Sequence, residues 1–316
     1  FRTAPTHFAS KKTELYIVST ADRKSWRFEQ RFYVAADMRE PRFAIYHDTL
    51  FFYFFEAGTN PAGFTPEKMW ATHFTPTNGW AEITDLGLDG FVPWRIRVHG
   101  DVMYMSAYYG RDVYKKGKNI DLRLYTSRDG YTWAPISPEP QTGDHGGEEG
   151  EFIFDAAGNL WGTVRQEGAG AMLVYAHRDS LAHWHTYPTR DKYDSALLFS
   201  HQDEIYLIAR RNLDGAADKA TWLPIGLRRW YNLLRYSLTR KTTALWHFDK
   251  DAKRLRHLMD FPATGDTAFP AITPLEDGKW LLMNYSSDIH GPQKNWLRGQ
   301  VGKTFIYQTV LELESN

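Results

Sequence analysis

The chain has 316 residues, enough for one large domain or two small ones, and its 38 Lys+Arg balance 38 Asp+Glu. Zero net charge argues against a general nucleic-acid or anionic-membrane surface, while leaving room for a local basic pocket. There is no Cys, which excludes disulfides and thiol chemistry, and no stretch approaches the roughly 18 apolar residues of a membrane span.

Taken in chain order, one unit of pattern recurs: an apolar strand, a tight polar turn and a second apolar strand. After an opening segment "LYIVSTADRKSW" that ends on Trp26, the hairpin reads "EPRFAIYHDTLFFYFFE" from Glu40, followed by "MWATHFTPTNGW" ending on Trp80. It reads "VPWRIRVHGDVMYMSAYY" from Val92, then "LRLYTSRDGYTW" ending on Trp133, and "GEFIFDAAGNLWGTVR" from Gly150, then "MLVYAHRDSLAHW" ending on Trp184. Two further hairpins are "YDSALLFSHQDEIYLIARR" from Tyr193 and "DTAFPAITPLEDGKWLLMNY" from Asp266. The turns centre near Asp48, Gly100, Gly158, Asp203 and Gly278, and the arms are rich in Ile, Leu, Phe, Tyr and Val, which favours strands over helices. Between the last two hairpins, "GLRRWYNLLRYSLTRK" has the strongest helical periodicity in the chain and reads as an inter-blade insertion leading to an outer strand. A looser strand copy there ends on Trp246.

Two hairpins per repeat make a four-stranded antiparallel sheet of roughly 40–50 residues, the size of a propeller blade. The expected fold is all-β: one β-propeller domain over residues 1–316, with five blades favoured over six. An irregular sixth is allowed for in the interval from Asn212 to Asp260. The N-terminal strands are expected to close the ring with the C-terminal "TFIYQTVLELE", protecting the sheet edges.

In a propeller the first strand of every blade lines the channel, so residues opening those strands converge. They are Glu40 and Arg42; Trp94 and Arg95; His145, Glu148, Glu149 and Glu151; Tyr193 and Asp194; Asp266 and Phe269. General acid–base chemistry can use two carboxyl groups, one protonated and one ionised, and crowding raises one acid above the other. Glu149 and Asp194 are the first candidate pair, with Asp266 and Glu40 in reserve. Each has a plain alternative as a solvated loop carboxylate, which is the favoured reading for Glu148 and Glu151. Arg42, Arg95, Arg165 and Arg210 have the chemistry to clamp a substrate carboxylate, or else to neutralise the acids. Trp94 and Tyr193 offer faces for a sugar ring, or pack between blades. His145 is a candidate acid or base. No HExxH or similar cluster and no phosphate-loop context occurs, so neither a metal nor a cofactor is expected.

The turn "SRDGYTW" (Ser127 to Trp133) resembles, one residue short, the Asp-box of sialidases and related propellers, with "STADRKSW" and "HRDSLAHW" as degenerate copies. There Asp129 ties the turn's amides and the Trp packs between outer strands, so both are scaffold. "EEGEFIFDAAGNLWGTVR" is similar to the sialidase segment in which an acid opens one strand and an Arg closes the next. "DEIYLIARR" would occupy the place of another sialidase Arg, and "EPRFAIYHDTLFFYF" resembles the first-blade Arg strand. This last segment also resembles the Asp/Glu-Pro-Arg opening of five-bladed hydrolases that cut fructans, arabinans and mannosides. The chain departs from sialidases at Phe269, where their nucleophilic tyrosine would stand. The resemblance implies a sialidase-like propeller acting as a glycoside hydrolase on a poly- or oligosaccharide, with an acidic sugar within its range. A uronate lyase using His145 or Tyr193, and a non-catalytic glycan-binding propeller, are the alternatives. A polysaccharide substrate implies a secreted or periplasmic protein, in keeping with a chain that begins at Phe1 rather than Met. The expected partner is a carbohydrate, with no nucleic acid; the oligomeric state is left open.

Overall fold

The computed structural model describes residues 1–313 except 6, 61–62 and 114–119. These residues fall into two compact units, Phe1–Gly146 and Gly147–Asn316, and each unit carries three antiparallel sheets.

In the first unit, the first sheet comprises Arg2–Thr3, Glu14–Ser19 and Arg27–Phe32. The second comprises Met38–Tyr46, Thr49–Glu56, Met69–Thr75, Gly79–Trp80 and Thr84–Asp85. The third comprises Phe91–His99, Val102–Tyr109, Leu122–Ser127 and Ala134–Pro135. The unbroken run "FFYFF" at residues 51–55 is explained by position: the second sheet is covered on both faces. Phe52 and Phe54 pack with Leu15, Ile17 and Phe32, while Phe51 and Tyr53 pack with Ile96, Met103 and Met105. A strand buried on both faces needs no polar alternation.

In the second unit, the fourth sheet comprises Glu148–Phe154, Leu160–Arg165, Ala171–Ala176 and His185–Thr189. The fifth comprises Asp194–His201, Glu204–Asn212, Lys241–Asp249 and Arg254–Phe261, and the sixth Ala268–Pro274, Trp280–Ser286 and Phe305–Leu311. The same two-faced burial recurs: Leu207 and Ala209 join the core with the fourth sheet, and Tyr206 and Ile208 the core with the sixth.

The repeat therefore builds six blades, not the five expected. The additional blade is not hidden between Asn212 and Asp260. That interval holds the helix α1 (Ile225–Leu238) and the outer two strands of the fifth sheet, so α1 is an insertion within one sheet. The missing blade is the N-terminal one. Its innermost strand is only Arg2–Thr3, too short to show as an apolar arm, so a count of inner hairpins passes over it. The five predicted hairpin turns all form, with Asp48 and Asp203 in the left-handed region at φ 60° and 64°. Asp129 accepts backbone N–H bonds from Tyr131 and Thr132 at 2.8 and 2.7 Å, the local role expected of it.

One buried charge ties the first two sheets. Asp37, with no exposed side-chain surface, accepts from Arg2 Nη2 at 2.5 Å, Arg39 Nε at 2.5 Å and Thr13 Oγ1 at 2.7 Å. Removing one member of such a group leaves the others desolvated and uncompensated. Asp37→Ala is expected to cost about 3 kcal/mol in urea denaturation; an unchanged midpoint would show that these bonds merely replace water.

Candidate functional site

The opening ends of the inner strands share a backbone device that no periodicity reveals. The strand register slips between Arg39 and Arg42, Glu148 and Glu151, Asp194 and Leu197, and Ala268 and Ala271. Inside these slips Glu40, Glu149, Ser195 and Phe269 have φ of 52°, 50°, 54° and 48°. A side chain in this left-handed region costs about 1–3 kcal/mol, and a bulge re-aims the chain where it occurs. The next residue is Pro41, Gly150, Ala196 or Pro270, a small residue or a ring in every case. Strain repeated at one structural position marks these ends as built for something other than stability.

In the first unit, Arg42 Nη2 lies 2.7 Å from Glu40 Oε2, and its guanidinium lies over the Trp94 ring at 4.8 Å. Trp94 is 1% exposed, so it is a floor under Arg42 rather than an open sugar platform. Arg95 is half-buried, and its backbone N–H donates to Ser106 Oγ. His145 lies exposed in the short turn Gly143–His145.

In the second unit the charges converge on Arg165, the last residue of its strand. Its Nη1 lies 2.8 Å from Glu149 Oε1 and 3.3 Å from Asp194 Oδ1; its Nη2 lies 2.9 Å from Glu148 and 3.2 Å from Glu167. Lys192 Nζ is 3.2 Å from Glu167 and 3.6 Å from Asp194. Glu149 Oε2 also accepts the Ser195 backbone N–H at 2.8 Å. Helix α1 enters here, for Tyr236 donates its hydroxyl proton to Asp194 Oδ2. Next to it, Arg210 Nη2 holds Asp266 Oδ1 at 3.1 Å, which also accepts from Tyr285 at 3.0 Å. Tyr193 turns away, edge-on to Trp246 in the core, and Phe269 stacks on Tyr285.

Burial and neighbours divide these acids into two kinds. Burial pushes Glu148 up to about 8, outweighing Arg165, and raises Glu149 for the same reason. Burial also acts on Asp194, but Lys192, Arg165 and Arg210 overcome it and hold its carboxyl well below the usual range. Glu167 is likewise pulled against burial, by Lys192 and Arg165, to about 2. Two acids pushed up by burial thus face two pulled down by cations, around one guanidinium.

The structure brings together Glu149, Asp194, Arg165, Arg210 and Asp266 as the sequence suggested. Glu148 is fully buried rather than solvated, because Arg165 supplies the counter-charge that a loop would take from water. Glu167, Lys192 and Tyr236 escaped sequence reasoning. The first two each lie two residues from a candidate, Arg165 and Asp194, but in the loops beyond the strand ends that those candidates mark; Tyr236 comes from the insertion and left no local signal. A recess of about 500 Å³ by Tyr104 and Arg128, at the outer turn of the third sheet, is lined by none of the candidates. Among the described residues no group of three or more His, Cys, Asp or Glu is placed to hold a metal ion, and no helix is long and apolar enough to cross a membrane.

No protein-family model and no curated protein sequence matches the chain. Solved structures do. A protein of unknown function from Dyadobacter fermentans superposes with a TM-score of 0.65 at 12% identity, over 99% of this chain and 86% of that one. A thermostable family-43 glycoside hydrolase superposes with a TM-score of 0.53 at 10% identity, over 88% and 90%. At such identities the likeness is one of fold alone, an all-β propeller.

Proposed function

We propose that the chain is a glycoside hydrolase acting on a poly- or oligosaccharide, with its chemistry around Arg165. The observation that carries this reading is the split among the acids. Glu149 is biased toward holding a proton while Glu167 and Asp194 are biased toward charge, the division of labour that acid-assisted glycosidic cleavage requires. Glu149 is assigned as proton donor to the leaving oxygen. Glu167 keeps 18% of its side chain exposed against 1% for Asp194, so Glu167 is the ionised group that can meet substrate. Asp194 positions Arg165, Lys192 and Tyr236. Arg165, 15% exposed, is the cation that an acidic sugar would find.

The test is digestion of a panel of neutral and uronate-containing oligosaccharides with product analysis. New reducing ends without unsaturated-uronate absorbance are expected, with Glu149→Gln and Glu167→Gln each lowering kcat by about 100-fold or more. Wild-type turnover in both variants would overturn the assignment.

A second reading has its own support: every candidate acid already has a cation, Glu40 with Arg42, Glu149 and Asp194 with Arg165, and Asp266 with Arg210. A network neutralised in this way suits a glycan-binding propeller that does not cleave. Retention on the same glycans without turnover would select it.

A further inference from the structure

Helix α1 is packed inside out. Its inward stripe is polar: Arg228 Nε donates to Asp218 at 2.8 Å, and Asn232 Nδ2 to Asp218 at 2.8 Å and to Gly168 O at 3.0 Å. Arg235 Nη1 donates to Ala216 O at 2.9 Å, and Tyr236 to Asp194. The outward stripe is apolar. Ile225, Leu227, Trp230, Leu234 and Leu238 are 61, 59, 64, 49 and 55% exposed, and Trp222 just before the helix is 81% exposed. An amphipathic helix normally buries the other face, so a soluble surface leaves this apolar stripe unexplained.

The neighbouring short helix α2 (Trp296–Gln300) packs against α1 through Trp296 and carries exposed apolar residues of its own. Trp296 meets Tyr236 edge to face at 5.8 Å, and Leu297 and Val301 are 45 and 75% exposed. Charge on the two segments has one sign. From Lys219 to Phe248 there are six Lys or Arg and no Asp or Glu. Arg228 and Arg240 pair with Asp218 and Asp214 and Lys241 is buried, which leaves Arg229 as the exposed cation beside the stripe. From Ile289 to Leu311 there are three Lys or Arg and no Asp or Glu. A chain of zero net charge has placed a cationic, Trp-bearing apolar face in one region.

We propose that this α1–α2 face docks on an anionic lipid surface, with Trp222 and Trp230 at headgroup depth, the Leu and Ile side chains in the acyl boundary, and Arg229, Arg298 and Lys303 on lipid phosphates. Apolar area with basic residues around it is the chemistry of interfacial helices. A second copy is the poorer occupant, because a two-fold contact would set these cations against themselves. An acidic polysaccharide would satisfy the arginines and stack on the tryptophans, but would gain nothing from Ile225, Leu227, Leu234, Leu238 and Val301. The inference does not depend on the hydrolase reading.

The test is flotation of the full chain with phosphatidylglycerol–phosphatidylcholine vesicles and with phosphatidylcholine vesicles alone, at low and high salt. Binding to the anionic vesicles, weakened by salt and accompanied by a blue shift of Trp fluorescence, is expected. Trp230→Glu with Leu234→Glu should lower the partition coefficient at least about tenfold while thermal unfolding stays unchanged. Arg229→Glu, which leaves the apolar stripe intact, should weaken only the anionic partitioning. No binding to anionic vesicles would overturn the proposal. So would a concentration-dependent dimer that is lost in the double variant while vesicles go unbound, or retention by an acidic polysaccharide in place of vesicles.

Discussion

Arg165→Met is expected to be the most damaging single substitution in the second unit at neutral pH, and to recover in acid. Four carboxylates lie within 3.3 Å of this guanidinium, three of them on side chains less than a tenth exposed. Loss of one partner from a buried pair costs about 3–5 kcal/mol, and here four acids lose theirs while Lys192 remains for only Glu167 and Asp194. A domain with about 5–15 kcal/mol in hand would be close to unfolding. Without Arg165 all four carboxyls rise, Glu148 and Glu149 from positions already raised by burial, so these two make the native state bind more protons than the unfolded chain over the range above ordinary carboxylate values. Stability must then increase as pH falls. Urea midpoints at pH 8 and pH 5 are the measurement. A deficit of about 4 kcal/mol or more at pH 8 that shrinks at pH 5 is expected, with Arg165→Lys intermediate because an ammonium keeps the charge but not the fork. Equal midpoints for variant and wild type at pH 8 would mean the acids are hydrated rather than paired.

That cluster also shows what sequence can and cannot carry. Hairpin arms and turns were legible because period-two burial and turn chemistry are local; "FFYFF" and "IYLIA" announce strands between two other sheets. Strand openings were legible as positions, so Glu149, Asp194 and Asp266 were picked out by their place in the repeat, and Arg165 and Arg210, at the ends of the following strands, by the resemblance to the sialidase pattern. Their protonation was not, since whether Glu148 is a solvated loop acid or a buried proton holder depends on a guanidinium seventeen positions away in sequence and 2.9 Å away in space. The first blade escaped because its innermost strand has two residues. Tyr236 escaped because an insertion is anchored by tertiary contacts, and its helical periodicity reports an apolar stripe that turns out to face solvent. The resemblance to an Asp-box told the truth about a turn: Asp129 ties its amides, and Asp22 does the same for Lys24 and Ser25. It does not extend to a family, for such a turn is a local solution to a local problem.

Glu148→Gln tests the proton itself. Burial holds the native carboxyl up at about 8, against about 4.3 in an unfolded chain. A carboxyl raised on folding contributes stability that is complete below the unfolded value and is lost as pH climbs through the native one. The window is therefore pH 4.3 to 8, and the whole interval is worth up to about 4–5 kcal/mol. Glu167, held at about 2 beside it, works the other way, contributing stability above its ordinary value and losing it as pH falls toward 2, outside that window. Lys241, which burial and Arg210 push down to about 7, adds stability as pH rises from 7 toward its ordinary value. Its slope opposes that of Glu148 above neutrality and would mask it in the wild type alone. Subtraction removes this interference, because both proteins keep Lys241. Glutamine has the shape of the protonated acid and an N–H to offer Glu167, so the variant is expected to match the wild type near pH 5. The difference in unfolding free energy should then grow in favour of Glu148→Gln, reaching several kcal/mol by pH 9. A difference that stays flat with pH would show that Glu148 is already ionised in the native protein at pH 5. Arg165 would then hold two buried anions outright, and the supply of a proton beside Glu149 would be gone.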